Sequence, residues 1–160
     1  YFVDGFCKDE QMQKLLEYFM TITPDKMALD VHEMSKRDIP YIEVDMGNQK
    51  LYAYKEGQLL LETDIVTGNM RRGCDTPEGV NYVYALQKNR TLRGATYATF
   101  VKYWAPVVGN IGLHDAAWRS EFGGDIYETS GSHGCVNIPQ EVMAELFPYL
   151  EIGMPVVMFY

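Results

Sequence analysis

The segment GSHGCVNIP, residues 131–139, contains a histidine and a cysteine separated by a single glycine. The chain has only three histidines and three cysteines among its 160 residues, so this spacing suggests a site rather than a coincidence. In an extended segment, residues i and i+2 point to the same side, so His133, Cys135 and Asn137 are expected to share one face. A cysteine becomes a strong nucleophile when a nearby imidazole accepts its proton. The segment therefore predicts a nucleophilic thiol at Cys135.

Two histidines are candidates for the base that activates Cys135. His133 is local, but side chains two residues apart on one strand are poorly placed for a direct hydrogen bond. His114 ends the strand-like segment GNIGLH, and a histidine on an adjacent strand has to reach across a spacing of only about 5 Å. We therefore predict that His114 is the general base and that His133 is a flanking group or transition-state donor. His32 lies in an N-terminal segment that is predicted to be helical, and it is not expected to take part.

The residues around the thiol are suited to stabilising negative charge. Gly134 has no side chain, so a substrate can approach the neighbouring peptide N–H groups, and two such donors beside a nucleophile form an oxyanion hole. The hydroxyl of Ser132 either bonds to neighbouring backbone or takes part in the chemistry, and the sequence leaves both open. Asn137 is expected to bond to backbone where a strand meets a helix.

Other interpretations of the same residues remain open. Considered without its neighbours, Cys135 is equally consistent with a small residue of the core, since structural cysteines are common. His114, His133 and Cys135 would give a zinc ion at most three ligands, at an unconventional spacing. A protein that binds its ligand without catalysis and a protease-like Cys–His hydrolase are the further rivals.

The composition excludes several classes of protein. At 47% hydrophobic and 22% charged residues, the chain is typical of a globular domain. A net charge of −8, with adjacent basic residues only at Lys36–Arg37 and Arg71–Arg72, argues against a nucleic-acid partner. Arg71, Arg72 and Arg93 are expected to be solvated loop charges rather than ligands of a substrate carboxylate. Cys7 and Cys74 are expected to be free thiols.

The elements that position these residues are mainly β-strands. Residues 1–38 are predicted to form a helical lead-in or the end of an upstream domain, and 39–160 to form the catalytic domain. Short alternating or apolar runs separated by turn signals predict a β-sandwich or barrel. One helix is expected after the cysteine, starting near Pro139. The predicted strands cover 41–46, 49–54, 58–66, 80–86, 98–104, 109–114 and 155–160.

Taken together, these motifs resemble one family. The stretch IGLHDAAWRSEFGGDIYETSGSHGCVNIP is similar to the catalytic segment of the L,D-transpeptidases, the YkuD-like enzymes that cross-link peptidoglycan. The pattern is a histidine, 17 intervening residues, Ser-His-Gly-Cys, one residue and an asparagine, and every position is filled here. The resemblance extends over about residues 40–160. It implies a mainly β, YkuD-like sandwich.

The resemblance also implies roles for individual residues. Cys135 would be the nucleophile, and His114 the base, oriented by a backbone carbonyl such as that of Asp115. Gly134 and Cys135 would donate their N–H groups to the oxyanion. Tyr103 and Trp104 would belong to the lid or the substrate groove.

The reaction implied is transfer through a Cys thioester. A stem tetrapeptide would be attacked at its third residue with release of D-alanine, and an acceptor amine would then complete a 3→3 cross-link. Hydrolysis of the same thioester would make the protein an L,D-carboxypeptidase. Carbapenem β-lactams are the expected covalent inhibitors, and no metal or organic cofactor is expected. The location implied is extracytoplasmic, in the cell wall or anchored to the membrane as part of a longer protein.

Overall fold

The computed structural model describes residues 40–160. The predicted helical lead-in, together with Cys7 and His32, lies outside the described residues. None of the helices in the described part is long and apolar enough to cross a membrane.

The described chain is mainly β, which confirms the predicted fold class. The strands within residues 40–160 are β1 Tyr41–Asp45, β2 Lys50–Lys55, β3 Gln58–Asp64, β4 Gly79–Tyr82, β5 Gln87–Arg93, β6 Ala98–Val108, β7 Ile111–Asp115, β8 Val136–Ile138 and β9 Pro155–Phe159. These nine strands form two sheets, with the order β3-β2-β1-β9-β4 in one and β5-β6-β7-β8 in the other. The α-helices there are α1 Ile126–Ser130 and α2 Gln140–Leu146, and one-turn 3₁₀ helices cover Met70–Arg72 and Phe147–Tyr149.

One hydrophobic core joins the two sheets. Val44 and Leu51 from the first sheet and Leu113 from the second belong to a single cluster of buried side chains. The central strand β9 is buried along its whole length, as expected for the continuous apolar run PVVMF. Met143 of α2 is fully buried in this cluster, so the predicted helix after the cysteine covers the core through its apolar face.

Strand β5 and helix α1 were missing from the sequence prediction, and β8 was expected only as an extended segment around Cys135. Strand β5, QKNRTLR, is exposed or half-buried at every position, so it has no buried face to produce an alternating pattern. Its structure comes from antiparallel pairing with β6. The five-residue helix α1 is too short to show a helical period. The strand predicted over 80–86 is also shorter, because β4 ends at Tyr82.

The pairing of β7 with β8 positions the predicted catalytic residues. The two strands run parallel, and the register places His114 of β7 opposite Asn137 of β8. Strand β7 also approaches β6 very closely at Gly112. A Cβ there would lie 2.4 Å from the carbonyl oxygen of Ala105, so any larger residue would push these strands apart.

Candidate active site

A cavity of about 190 Å³ opens at the end of β7 and β8. Its wall includes all five polar side chains that the sequence analysis placed in or around the two motifs, namely His114, Ser132, His133, Cys135 and Asn137. His114 comes from β7, whereas the other four come from the segment that leads into β8 and from β8 itself. The structure therefore brings together residues that are far apart in sequence.

The segment around the thiol is not the extended strand that was expected. The chain bends at residues 133–135, and Gly134 has a φ angle of +121°, which side-chain-bearing residues rarely adopt. The backbone is therefore not extended here, although His133, Cys135 and Asn137 all line the cavity as expected of residues on one face. His133 is exposed and its ring packs on Tyr97, with 4.6 Å between the ring centroids, whereas Asn137 is only 2% exposed.

Hydrogen bonds to Ser132 fix this bend. The Ser132 hydroxyl donates to the Cys135 carbonyl at 2.5 Å and accepts from the Gly134 N–H at 3.0 Å. Of the two possibilities left open for Ser132, the structure shows the bond to neighbouring backbone. The prediction that Gly134 offers a free N–H to an oxyanion is corrected, since that donor already has a partner. The Cys135 N–H stays the predicted oxyanion donor.

Thr76 ties the same bend to the loop before β4. Its hydroxyl donates to the Gly134 carbonyl at 2.6 Å and accepts from the Gly68 N–H at 2.9 Å, and the side chain is only 2% exposed. One buried hydroxyl thus satisfies two backbone groups from separate segments.

We expect Thr76→Val to lower the free energy of unfolding by about 1–3 kcal/mol, because it keeps the shape but leaves two buried polar groups unpaired. Chemical denaturation measures this loss. Thr91→Val, at an exposed position of β5, is the matched control and should change stability by less than about 0.5 kcal/mol. Equal stabilities for the two variants would contradict the role given to Thr76.

His114 is held as a neutral base. Its Nδ1 lies 2.8 Å from the Asp115 carbonyl oxygen, as the resemblance implied. Because a carbonyl only accepts, Nδ1 carries the proton and Nε2 keeps its lone pair. Burial lowers the pKa of His114, and the charge of Arg119 lowers it further, against the opposing effect of Asp115. The imidazole is therefore unprotonated at neutral pH and able to accept a proton.

Cys135 is held as a thiol rather than a thiolate. Its Sγ donates to the carbonyl oxygen of Asn110 at 3.4 Å. Burial raises the pKa of Cys135 to about 11, although a backbone N–H at Gly112 acts in the opposite direction. The raised pKa leaves acceptance of the proton by an imidazole, rather than a preformed thiolate, as the route to activation. A neutral thiol in the same cavity as a neutral imidazole suits proton transfer during attack rather than a preformed ion pair.

This arrangement predicts how alkylation of Cys135 depends on pH. With a pKa of about 11, only about 10⁻³ of the thiol is ionised at pH 8, and the rate with iodoacetamide should still rise tenfold per pH unit there. Alkylation followed by mass spectrometry from pH 6 to 10 measures the profile, with free cysteine as the reference compound. A plateau beginning at or below pH 8 would show that the thiolate is stabilised instead.

The residues predicted for the groove need a correction. Trp104 is buried and its ring lies 5.9 Å from that of His114, while Tyr103 packs against Phe147. Neither lines the cavity. The Tyr103 N–H donates to the Asp115 carboxylate at 2.7 Å, so this residue anchors the end of β7 and thereby supports His114.

The wall of the cavity is completed by residues that were not predicted. Leu92, Tyr97 and Thr99 come from the β5–β6 hairpin, and Trp118 and Arg119 follow β7. A tryptophan at this position suits either the core or the groove wall, and the 50% exposure of Trp118 places it in the wall.

The zinc alternative finds no support in the geometry. It required His114, His133 and Cys135 to approach one point. Within residues 40–160, no three histidine, cysteine or acidic side chains are grouped closely enough to hold a metal ion.

Comparisons with known proteins agree with the resemblance seen in the motifs. A family model described as the L,D-transpeptidase catalytic domain, YkuD, matches residues 39–158. No curated protein gives a significant match.

Several solved structures are similar over most of the described chain. A Cys-to-Ser mutant of Enterococcus faecium L,D-transpeptidase is 44% identical with a TM-score of 0.73, over 77% of this chain and 50% of that one. The E. faecium catalytic domain acylated by ertapenem is 44% identical with a TM-score of 0.68, over 76% and 98%. An L,D-transpeptidase from Mycobacterium smegmatis, 17% identical with a TM-score of 0.65 over 76% and 58%, shares the fold. This chain spans about half the length of the first of these proteins.

Proposed function

Because this chain belongs to the L,D-transpeptidase catalytic domain family, we propose that it transfers acyl groups between peptidoglycan stem peptides through a thioester on Cys135. The donor is a stem tetrapeptide and the product is a 3→3 cross-link. The stem peptides of the cell wall are the proposed partners, and the proposed location is therefore outside the cytoplasmic membrane.

The observation that supports this function most strongly is the pairing of a base with a thiol in one cavity. His114 has its Nε2 free for a proton because Nδ1 is bonded to the Asp115 carbonyl. Cys135 lines the same cavity, and burial raises the pKa of its thiol to about 11. These are the two groups that general-base activation of a nucleophile requires.

The first half-reaction forms the thioester. The thiol leaves the Asn110 carbonyl and attacks the carbonyl carbon of the third stem residue, while Nε2 of His114 accepts the proton. The tetrahedral oxyanion is stabilised by the Cys135 N–H. When the C–N bond breaks, imidazolium His114 returns the proton to the departing D-alanine amine.

The second half-reaction uses the same base. An amine from a neighbouring stem attacks the thioester carbonyl, and His114 takes its proton as the C–S bond breaks. The sulfur is then protonated from His114, and the enzyme returns to its starting state. Attack by water in place of the amine gives the L,D-carboxypeptidase reaction.

Product analysis tests this proposal. Purified disaccharide-tetrapeptide is incubated with the protein, and the products are separated and weighed by mass spectrometry. We expect cross-linked dimers that have lost one alanine. Only tripeptide would indicate the carboxypeptidase, and no product at all would indicate a domain that binds without catalysis.

We further propose that carbapenems acylate Cys135. The related E. faecium catalytic domain, 44% identical, has been solved acylated by ertapenem. Attack of the thiol on the strained lactam carbonyl requires the same base and the same oxyanion donor as the reaction with the stem peptide.

A further inference from the structure

An arginine that the sequence analysis did not single out lies in the wall of the cavity. Arg119 follows β7 and is half-buried. Its Nη2 donates to the Ser130 carbonyl at 2.7 Å, so the guanidinium is held against the protein. Its Nε is buried and has no hydrogen-bond partner among residues 40–160.

The charge of Arg119 is not balanced by a neighbouring carboxylate. Within residues 40–160, no acidic residue lines the cavity, and Arg119 is the one arginine or lysine that does. In the part of the chain that the structure describes, the ion pairs involve Lys50 and Arg71 but not Arg119. A fixed guanidinium with free donor capacity favours a planar anion with two oxygens, such as a carboxylate.

The proposed reaction brings one carboxylate into this space. In a tetrapeptide donor, the terminal carboxylate belongs to the residue that leaves. The carbon of this carboxylate is one residue farther along the chain than the attacked carbonyl carbon. The two carbons are therefore at most about 4 Å apart. When that carbonyl is at the Cys135 sulfur, the terminal carboxylate must lie in or at the edge of the same small cavity. Any acid elsewhere in the stem is farther away.

We propose that Arg119 is a specificity-determining residue that binds the terminal carboxylate of the donor stem peptide. This inference rests on the proposed function, because it assumes a donor that is attacked one residue before its end. The guanidinium would place the leaving residue beside the base that protonates its amine. Arg119 would thus select donors that carry a free carboxylate at this position.

The test compares two donors that differ only at the terminal group. One is the stem tetrapeptide with a free carboxylate, and the other is the same peptide with a terminal carboxamide. Acylation of Cys135 is followed by mass spectrometry for the wild type, Arg119→Gln, Arg119→Lys and Arg90→Gln. Arg90 is exposed on β5 and does not line the cavity, so it serves as the matched control. Thermal unfolding shows whether each variant keeps its fold. Iodoacetamide alkylation shows whether its thiol stays reactive.

We expect the wild type to prefer the acid over the amide by about 10- to 100-fold in kcat/KM, the effect of one charge-assisted contact. Arg119→Gln should lose this preference by reacting more slowly with the acid alone, and Arg119→Lys should keep part of it. Arg90→Gln should behave as the wild type.

Two outcomes would overturn the inference. If Arg119→Gln slows both donors equally, or neither, while the wild type is acylated normally, Arg119 does not read the carboxylate. If the wild type is acylated by neither donor, the proposed function fails and the inference fails with it. The two failures are thus distinguished by the wild-type reaction.

Discussion

Cys135→Ala should abolish thioester formation with the stem tetrapeptide and adduct formation with ertapenem. No other thiol lines the cavity in the described part of the chain, so no substitute nucleophile is available. Removal of a nucleophile leaves at most the residual catalysis given by binding and the oxyanion donor, and a loss of at least about 10³-fold is expected. Intact-protein mass spectrometry measures both adducts.

The fold of Cys135→Ala should be preserved, because the change removes a single sulfur atom at the edge of a cavity. Cys74→Ala is the matched control, since Cys74 is also a free, half-buried cysteine but does not line the cavity. It should form both adducts at the wild-type rate. An ertapenem adduct on the Cys135→Ala protein would contradict the assignment of the nucleophile.

His114→Ala should reduce the rate of acylation by about 10²- to 10⁴-fold, the range expected for loss of a general base. His133→Ala should have a smaller effect, because His133 is exposed and contacts Tyr97 at the rim of the cavity. The rates are measured over a range of tetrapeptide concentrations up to saturation so that kcat and KM are separated. We expect the loss at His114 in kcat.

The His114 side chain is only 4% exposed, so His114→Ala removes packing as well as the base. A second variant at this position separates the two effects. His114→Gln fills more of the space but supplies no base, so it should be as inactive as the alanine variant while being more stable. Equal losses for His114→Ala and His133→Ala, or a larger loss at His133, would contradict the choice of base.

Much of the fold could be predicted because its strands bury apolar side chains. The alternation in β1 and the apolar run in β9 reflect the core that those residues form. Strand β5 could not be predicted, since its residues are held by backbone pairing with β6 and leave no hydrophobic pattern. The helix α1 was missed because five residues are too few for a period.

In the candidate active site, as in the fold, side-chain types left a signal in the sequence whereas backbone geometry left none. The residue types at His114 and Cys135 are scarce, so their spacing could be recognised. The Asn110 carbonyl that accepts from the thiol gave no signal, because every residue has a carbonyl. The chain bends at Gly134, where the φ angle is positive, although an extended strand was expected. A glycine is compatible with both conformations, so the residue type did not distinguish them. Arg119 could not be separated from solvated arginines without knowing what surrounds it.

The most direct test of the account is to mix the wild-type protein with purified stem tetrapeptide and to weigh the intact protein within seconds. If His114 passes the thiol proton to the leaving amine, the protein gains the mass of the peptide minus one alanine, proteolytic mapping locates the gain at Cys135, and free D-alanine appears in equal amount. An unmodified protein under these conditions, or an acyl group found on any other residue, would contradict the account.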